Sequence, residues 1–221
     1  TKKILEKSLY KNFSCWFSCC WSYMKKMVCL LPFLLAACTT LPTSSEYLLR
    51  GDGYFKDGHA GKAVQSYTKA LELNPDNLEG YASRGAVYFF LGEYDLAEAD
   101  FLRVLQDNPY QVDAYTAYAS TLAAKGDFEN ALSVLNLASS LKPDKVEIFF
   151  SRGGVNFMLD RYEDAVRDYT SVINLHPAAE VYNARGAVYM KMGKTDLAEK
   201  DFNTAKTAKI PEKLNIYSMV D

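Results

Sequence analysis

The chain has 221 residues, enough for one or two domains, and 49% of them are apolar, which is usual for a folded protein. Residues 1–37 hold six of the 25 basic residues and one of the 27 acidic residues, so the rest of the chain is acidic, with 19 basic and 26 acidic residues. This balance argues against binding to nucleic acid, which requires a basic face. All five cysteines precede residue 39, so the later chain contains neither a disulfide framework nor a cysteine-based zinc site.

The segment 24–37 has the features of a secretory signal peptide. Two lysines near its start precede an apolar run over residues 27–37. This run is too short to cross a bilayer, which takes about 20 residues, but it has the length of the apolar region of a signal peptide. Residues 1–23 fit no part of this pattern. They form an upstream extension, and Met24 is an alternative start of the translated chain.

The apolar run ends in Leu35-Ala36-Ala37-Cys38, which resembles the lipobox of bacterial lipoproteins. The resemblance implies that Cys38 becomes the first mature residue and carries lipid, and that residues 38–45 link it to the folded body. Thr39, in place of an aspartate, is typical of lipoproteins sorted to the outer membrane, so we expect an anchor there that faces the periplasm. The alternatives are an ordinary signal peptide, which would leave a secreted or soluble periplasmic protein, and an uncleaved stub that faces the membrane.

The rest of the chain repeats with a period of 34 residues. The period is marked by prolines, at Pro75, Pro109, Pro143, Pro177 and Pro211. An aromatic residue recurs in phase with them, at Tyr47, Tyr81, Tyr115, Phe149 and Tyr182. A fixed period in this range indicates a stacked repeat protein.

The pattern resembles the tetratricopeptide repeat (TPR) and covers about residues 44–212. The resemblance implies five units, each made of two antiparallel helices called A and B. The expected bounds are 44–77, 78–111, 112–145, 146–178 and 179–212, followed by a C-terminal tail over 213–221. The expected fold is therefore all-α, a right-handed α-solenoid of about five TPR helix-turn-helix units.

The fourth unit departs from the pattern at two positions. A glycine marks the turn between helices A and B in the other units, at Gly58, Gly92, Gly126 and Gly193, whereas the fourth unit has Asp160. It also has Asn156 where three other units have a tyrosine. We therefore expect its A helix to pack less tightly.

Three A helices place an arginine directly before a glycine on their apolar side, at Arg84-Gly85, Arg152-Gly153 and Arg185-Gly186. The glycine is expected to let helix B approach closely, with Ala97 as the counterpart of Gly85. An aspartate occurs on helix B in the same three units, and both charges are absent from the third unit, which has Tyr118 and Val134. We therefore predict three ion pairs that join A to B, namely Arg84–Asp100, Arg152–Asp168 and Arg185–Asp201. The alternative is that these arginines line a ligand path and bind carboxylates.

The first unit breaks this correlation. It carries Arg50 at the arginine position but Ser66 at the aspartate position. Glu46 lies one helical turn before Arg50, so it is the predicted partner.

No grouping of residues points to catalysis. The two histidines, His59 and His176, lie far apart in the repeat, and no nucleophile elbow, metal-ligand spacing or phosphate-binding glycine loop is present. We therefore expect no enzyme, no catalytic residue, no metal and no cofactor.

The TPR resemblance implies a concave groove, formed by the A helices, that binds a protein or peptide partner. The apolar residues at groove positions are Phe55, Phe89, Phe90, Phe150, Phe157, Met158 and Met190. The alternative is that some of these rings pack between units. Acidic residues begin successive A helices, at Glu79, Asp113, Glu147 and Glu180, and they favour a partner with basic flanks.

These features predict a non-enzymatic, membrane-anchored TPR adaptor or scaffold for protein–protein interaction in the bacterial envelope. The chain is similar to TPR lipoproteins that act as pilotins for pilus secretins or that assist outer-membrane protein assembly. A structural repeat protein that forms homo-oligomers through its last unit is the other alternative.

Overall fold

The computed structural model describes residues 42–207, and these contain ten α-helices and no strand. The helices are α1 Ser44–Lys56, α2 Ala60–Leu73, α3 Leu78–Leu91, α4 Tyr94–Asp107, α5 Val112–Ala124, α6 Phe128–Leu141, α7 Val146–Met158, α8 Tyr162–Leu175, α9 Ala179–Lys191 and α10 Thr195–Thr207. The all-α prediction is confirmed. The predicted lipid site at Cys38 and the tail 213–221 lie outside the described residues.

Short polar side chains begin several of these helices. At α1 the Thr43 hydroxyl accepts from the Glu46 amide at 3.3 Å, and the Glu46 carboxylate accepts from the Thr43 amide at 2.9 Å. This reciprocal capping box satisfies two amides that the helix itself leaves unpaired. Asn77 caps α3 in a simpler way, because its side chain accepts from the amide of Gly80 at 3.0 Å.

The turn between the helices of each unit requires one residue in the left-handed region. Glycine occupies it in four units, with φ of 77° at Gly58, 79° at Gly92, 84° at Gly126 and 72° at Gly193. The fourth unit uses Asp160, with φ of 57°. Its carboxylate accepts a hydrogen bond from the Tyr162 hydroxyl at 2.5 Å. The turn geometry is thus the same in all five units, although one lacks the residue that adopts it most easily.

Helices alternate in role along the stack. The odd-numbered helices are the A helices and the even-numbered ones are the B helices. Each B helix packs against its own A helix, and each one before α10 also packs against the next A helix. Cα atoms of successive A helices come within 8 Å of each other, whereas no B helix in residues 42–207 approaches another B helix that closely. The A helices therefore lie on the inner side of the curve, and the inner surface is built from their side chains.

The glycine after each arginine lies against an aromatic ring of helix B. A Cβ atom built on Gly85 would lie 3.0 Å from the Phe101 ring, and one on Gly153 would lie 2.9 Å from the Tyr169 ring. The atoms nearest to this position belong to Phe101 and Asp100 and not to Ala97, the predicted counterpart of Gly85. The glycine makes room for a ring rather than for a close approach of two small residues.

The A helix of the fourth unit is not loosened at Asn156, contrary to our expectation. Asn156 is 4% exposed, and its amide nitrogen donates to the Asp168 carboxylate at 3.0 Å. The buried polar side chain is thus satisfied and supports the aspartate that Arg152 also binds.

Two A-helix positions pack beneath the preceding unit. Val87 belongs to the apolar cluster of the first unit, and Ile148 and Val155 belong to that of the third. In the first unit the equivalent positions hold Gly53 and Glu46, and both residues are exposed. At these two positions the first A helix therefore lacks the apolar side chains of the later units, whereas Leu49, one helical turn from both positions, is 70% exposed.

The outer face of the last helix is polar in the same way. On α2, Leu71 contacts the position of Gly80 in the next unit, and Thr68 accepts a hydrogen bond from Arg84. On α10 the places of Thr68 and Leu71 are taken by Asn203 and Lys206, and the place of Val64 by Glu199, and all three are exposed and polar. No helix in residues 42–207 combines the length and apolar character needed to cross a membrane.

Candidate functional site

The Arg84–Asp100 pair joins three helices. The Arg84 Nε and Nη2 atoms donate to the two oxygens of Asp100 at 2.9 and 2.8 Å, so the contact is bidentate. The remaining Nη1 atom donates to the Thr68 hydroxyl of the preceding B helix at 3.2 Å. The guanidinium also lies over the rings of Tyr81 and Tyr88, at 5.6 and 5.8 Å from their centroids. One side chain thereby holds α3, α4 and α2 together.

The same arrangement recurs in the fourth and fifth units. Arg152 donates to Asp168 at 2.6 Å and to Asn136 of the preceding B helix at 3.2 Å. Arg185 donates to Asp201 at 2.8 and 2.9 Å and to the Thr170 hydroxyl at 2.9 Å. The three aspartates are 4–5% exposed. The three predicted pairs are thus present in the structure.

The hydrogen bonds to the aspartates favour the charged form that these arginines already have. The bond to Asp100 raises the pKa of Arg84, and the bond to Asp201 raises that of Arg185. Because their donors are occupied within the fold, these arginines do not present free forks to a ligand, and the observations favour a structural role for them.

The partner predicted for Arg50 is wrong. The Glu46 carboxylate is engaged in the capping box with Thr43, and Arg50 is exposed. The other acid on α1 is also engaged, because Asp52 accepts from the buried Tyr67 hydroxyl at 2.7 Å. Burial, together with this hydrogen bond, raises the pKa of Tyr67. Sequence reasoning missed these contacts because it paired residues by spacing alone.

The inner surface of the solenoid follows from the geometry of the A helices. Residues 11 positions apart on an α-helix lie nearly on the same face, about 16 Å apart along the axis. Glu79 and Phe90 have this relation on α3, and Glu147 and Met158 have it on α7. The residues between them on that face are small, Ala86 on α3 and Gly154 on α7. We call this surface the groove, with an acidic edge at the A-helix starts and an apolar edge at their ends.

The seven predicted groove residues fall into two sets. Phe90, Met158 and Met190 are 70%, 56% and 49% exposed. The other four are half-buried and have their rings against neighbouring rings or apolar clusters, and they are Phe55, Phe89, Phe150 and Phe157. The alternative that some rings pack between units is met by Phe55, whose ring contacts Phe90 of the next unit, whereas the rings of the other three contact aromatic rings of their own units.

Phe90 also connects two units at the apolar edge. Its ring meets the Phe55 ring edge-on, with centroids 5.6 Å apart. The half-buried Phe55 ring thus packs against the exposed Phe90 ring and limits its movement. Exposed aromatic and methionine side chains held in this way are suited to contact another protein.

The acidic edge is only partly neutralised. Lys145 forms an ion pair with Asp113. Glu180 has a buried Oε2 atom that accepts no hydrogen bond within the described part of the chain. A buried carboxylate oxygen without a donor costs free energy.

Residues 42–207 contain no cluster of three or more His, Cys, Asp or Glu side chains arranged to hold a metal ion. His59 and His176 are both exposed.

Family models for tetratricopeptide repeats match residues 51–92, 83–146 and 179–209. Tetratricopeptide repeat protein 13 of Homo sapiens is 36% identical over 74 residues, which are 34% of this chain and 9% of that protein. The match therefore spans a small part of this relative.

Solved structures share the fold. The TPR protein TTC0263 of Thermus thermophilus aligns with a TM-score of 0.65 and 22% identity, over 79% of this chain and 95% of its own. MamA aligns with a TM-score of 0.63 and 23% identity, over 71% and 92% of the two chains. MamA from Desulfovibrio magneticus RS-1 aligns with a TM-score of 0.67 and 16% identity, over 74% and 93%. The repeat matches and the solenoid together establish that the chain belongs to the tetratricopeptide repeat proteins, which are scaffolds for protein–protein interaction.

Proposed function

We propose that the chain is a non-enzymatic scaffold of the bacterial envelope that is anchored by lipid at Cys38 and binds, in the groove, an apolar segment of another protein flanked by basic residues. The exposed apolar side chains carry the binding part: Phe90 and Met158 share one position of the second and fourth A helices, and Met190 lies one residue before that position in the fifth. Exposed apolar residues on a concave surface are the usual sign of a protein contact.

The acidic edge of the groove is the reason for proposing basic residues beside the apolar segment of the partner. The carboxylates of Glu79, Glu147 and Glu180 lie at the starts of A helices whose ends carry the apolar side chains. A bound segment that crosses the groove would place its apolar residues on one edge and its cations on the other. Association should therefore weaken as salt screens the acidic edge.

The binding part is tested with a synthetic peptide that has Leu and Phe in one half and Lys in the other, so that it can meet both edges of the groove. Phe90→Ala with Met158→Ala should weaken binding about tenfold or more, because exposed apolar contacts of this kind are typical energetic centres of an interface. Both side chains are largely exposed, so the melting temperature should stay nearly unchanged. Leu102→Ala with Leu137→Ala is the matched control, since these leucines are exposed on B helices.

Two results would contradict the groove. One is equal weakening by the B-helix control, which would indicate non-specific adhesion. The other is a folded double variant, at Phe90 and Met158, that binds the peptide as the wild type does. A peptide with Glu in place of Lys is the control for charge and should bind more weakly at low salt.

The anchor is supported by the motif at residues 35–38 and by the short distance to the first helix. Helix α1 begins at Ser44, and the intervening residues span at most about 20 Å at ~3.5 Å per residue. The scaffold would then work close to the bilayer. Cys38→Ser should move the protein from the membrane fraction to the soluble fraction and remove the acyl mass from the mature chain. A wild-type protein that is soluble and carries no acyl chain would contradict the anchor.

Polar end faces argue against the homo-oligomer alternative. Glu46 and Gly53 at one end, and Glu199, Asn203 and Lys206 at the other, occupy the positions through which neighbouring units pack inside the solenoid. A head-to-tail stack of copies would therefore bury Glu46, Glu199, Asn203 and Lys206, and Leu49 is the exposed apolar side chain of the first face that could offset their desolvation.

A further inference from the structure

Arg50 is the fourth arginine at the same position in the repeat, and it lacks the aspartate that the other three bind. Its guanidinium lies 5.3 Å from the centroid of the Tyr47 ring. No carboxylate oxygen of residues 42–207 lies within 4.0 Å of its nitrogens, whereas Arg84, Arg152 and Arg185 each meet this limit with their aspartates. The fork of Arg50 is therefore held over an aromatic ring but is not occupied within the described fold.

A pocket opens beside this fork. It has a volume of about 650 Å³ and lies between α1 and α2, with Arg50, Lys62 and Lys69 among the residues that line it. Lys62 stacks on the Tyr54 ring at 5.5 Å and, like Arg50, has no carboxylate partner among the described residues. Lys69 is already paired with Glu72 at 2.6 Å. Two unpaired cations therefore face one pocket.

The equivalent pocket of the fourth unit contains two side chains that bind its arginine, and the described residues that line the pocket of the first unit provide neither. That pocket is about 440 Å³ and is lined by Arg152 together with Asp168 and Asn136. The aspartate comes from the unit's own B helix and the asparagine from the preceding one. In the first unit the aspartate position is Ser66, whose hydroxyl donates to the Lys62 carbonyl at 3.0 Å, and no preceding B helix is present in residues 42–207.

We propose that this pocket is a second binding site, in which Arg50 and Lys62 bind an Asp or Glu side chain of a partner protein at the place that Asp168 takes beside Arg152. A planar guanidinium fork binds a carboxylate through two parallel hydrogen bonds, and Arg50 belongs to the repeat position that does this three times in the chain. The rings beneath both cations shield them from water on one side, which strengthens the contact.

The two unpaired cations favour an acidic segment of a polypeptide over an apolar one. In the later units the space beside the arginine is bounded by the preceding B helix, and residues 42–207 contain no helix before α1. The face that borders this space carries the charged Glu46 and the side-chain-free Gly53, together with one exposed apolar side chain, Leu49. The site is separate from the groove, because it lies between α1 and α2 and contains none of the exposed groove residues. It does not depend on the proposed function.

The test uses the full chain and a synthetic alanine-rich peptide with several Glu and Asp residues, with binding followed by fluorescence polarisation. The control peptide has Gln and Asn at the same places and should not bind. Arg50→Met should weaken binding of the acidic peptide about tenfold, as expected for loss of a charge-assisted bidentate contact. Arg50→Lys should weaken it as well, because the charge remains but the fork is lost. Arg167→Met, which removes an exposed arginine on α8, should leave binding unchanged.

Ser66→Asp is the decisive variant, because it supplies the missing carboxylate from within. It should rebuild the pair of the later units, raise the melting temperature and abolish binding of the acidic peptide. The proposal is overturned if Ser66→Asp binds the peptide as the wild type does, or if Arg167→Met weakens binding as much as Arg50→Met. It is also overturned if inorganic phosphate or phosphatidylglycerol vesicles bind through Arg50 while the acidic peptide does not.

Discussion

Differences in side-chain volume at one position of helix A are compensated at the facing position of helix B. Gly153 faces the ring of Tyr169, and the same combination of glycine and ring occurs in the first, second and fifth units. The third unit has Ala119 and Leu135 at these positions. Where the ring is replaced by a smaller side chain, the methyl group of an alanine is present, so the volume between the two helices is conserved.

Gly153→Ala should therefore destabilise the fold by about 1–3 kcal/mol, because the new methyl would lie 2.9 Å from a ring that is 5% exposed and has little room to move. Adding Tyr169→Leu should recover part of the loss, since it recreates the third unit's combination. The measurement is a double-mutant cycle by chemical denaturation. Gly154→Ala is the control, because its methyl would meet Tyr169 only at 3.6 Å, and it should be neutral or stabilising. Strictly additive losses would contradict the compensation.

The buried ion pairs make a second prediction about single residues. Asp100→Ala leaves the Arg84 guanidinium, whose side chain is 17% exposed, without its carboxylate. The loss should be about 3 kcal/mol, which corresponds to a melting temperature lower by roughly 6–12 °C in a domain of this size.

The control for this pair is Arg84→Tyr with Asp100→Val, which imports Tyr118 and Val134 of the third unit. Removing both charges should cost less than removing the aspartate alone, because no unpaired charge remains. If Asp100→Ala melts with the wild type, the pair contributes nothing to the fold and Arg84 is available for binding.

At the scale of the helices, the turn between A and B is the least variable element of the repeat. Four units use glycine in this turn, with φ between 72° and 84°. The turn of the fourth unit uses Asp160, with φ of 57°. The left-handed region is strained for residues with a Cβ atom, although aspartate tolerates it better than most. The hydrogen bond from Tyr162 to Asp160 is exposed, so it offsets little of this strain.

Asp160→Gly should accordingly raise stability by about 1 kcal/mol, and the melting temperature by roughly 2–4 °C. Gly126→Asp, the reverse change in the third unit, should lower stability by a similar amount. Calorimetry on both variants gives the comparison. A fall in melting temperature for Asp160→Gly would mean that the aspartate side chain stabilises this turn more than its backbone strain costs.

At the scale of the whole molecule, the two ends of the described solenoid differ from its interior. Inside the stack, positions such as Ile148 and Val155 insert beneath the preceding unit. At the first A helix the same positions are Glu46 and Gly53. A solenoid buries the apolar faces of its units only against neighbours, so its terminal faces must be polar to remain soluble.

We therefore expect residues 39–221 to be monomeric by light scattering across a wide range of concentration. Glu46→Ile with Gly53→Val converts the first face into one like that of the fourth unit and should cause concentration-dependent association. Glu46→Gln is the control, since it removes the charge without adding apolar surface. A stable dimer of the wild type would contradict the end-face argument.

Much of this architecture follows from the sequence by itself. The 34-residue spacing of the prolines predicts the helix pairs, because each unit must bury the same face against the same neighbours. The joint presence of Arg84 with Asp100, and their joint absence from the third unit, predicts which residues meet. Such pairs can be predicted because the same two positions occur in every unit. The units in which both charges are present can be compared with the unit in which both are absent.

Only the tertiary structure decided which side chains are exposed and which have a partner within the fold. Phe89 and Phe90 are neighbours in sequence, yet the Phe89 ring packs against Tyr94 and the Phe90 side chain is 70% exposed. Glu46 has the spacing to reach Arg50, but it caps its own helix instead. Spacing along a helix determines the face on which a side chain lies, whereas its partner depends on competition among all the groups that the packed helices bring within reach. That competition is settled in three dimensions, and it leaves Arg50 without a carboxylate among the described residues.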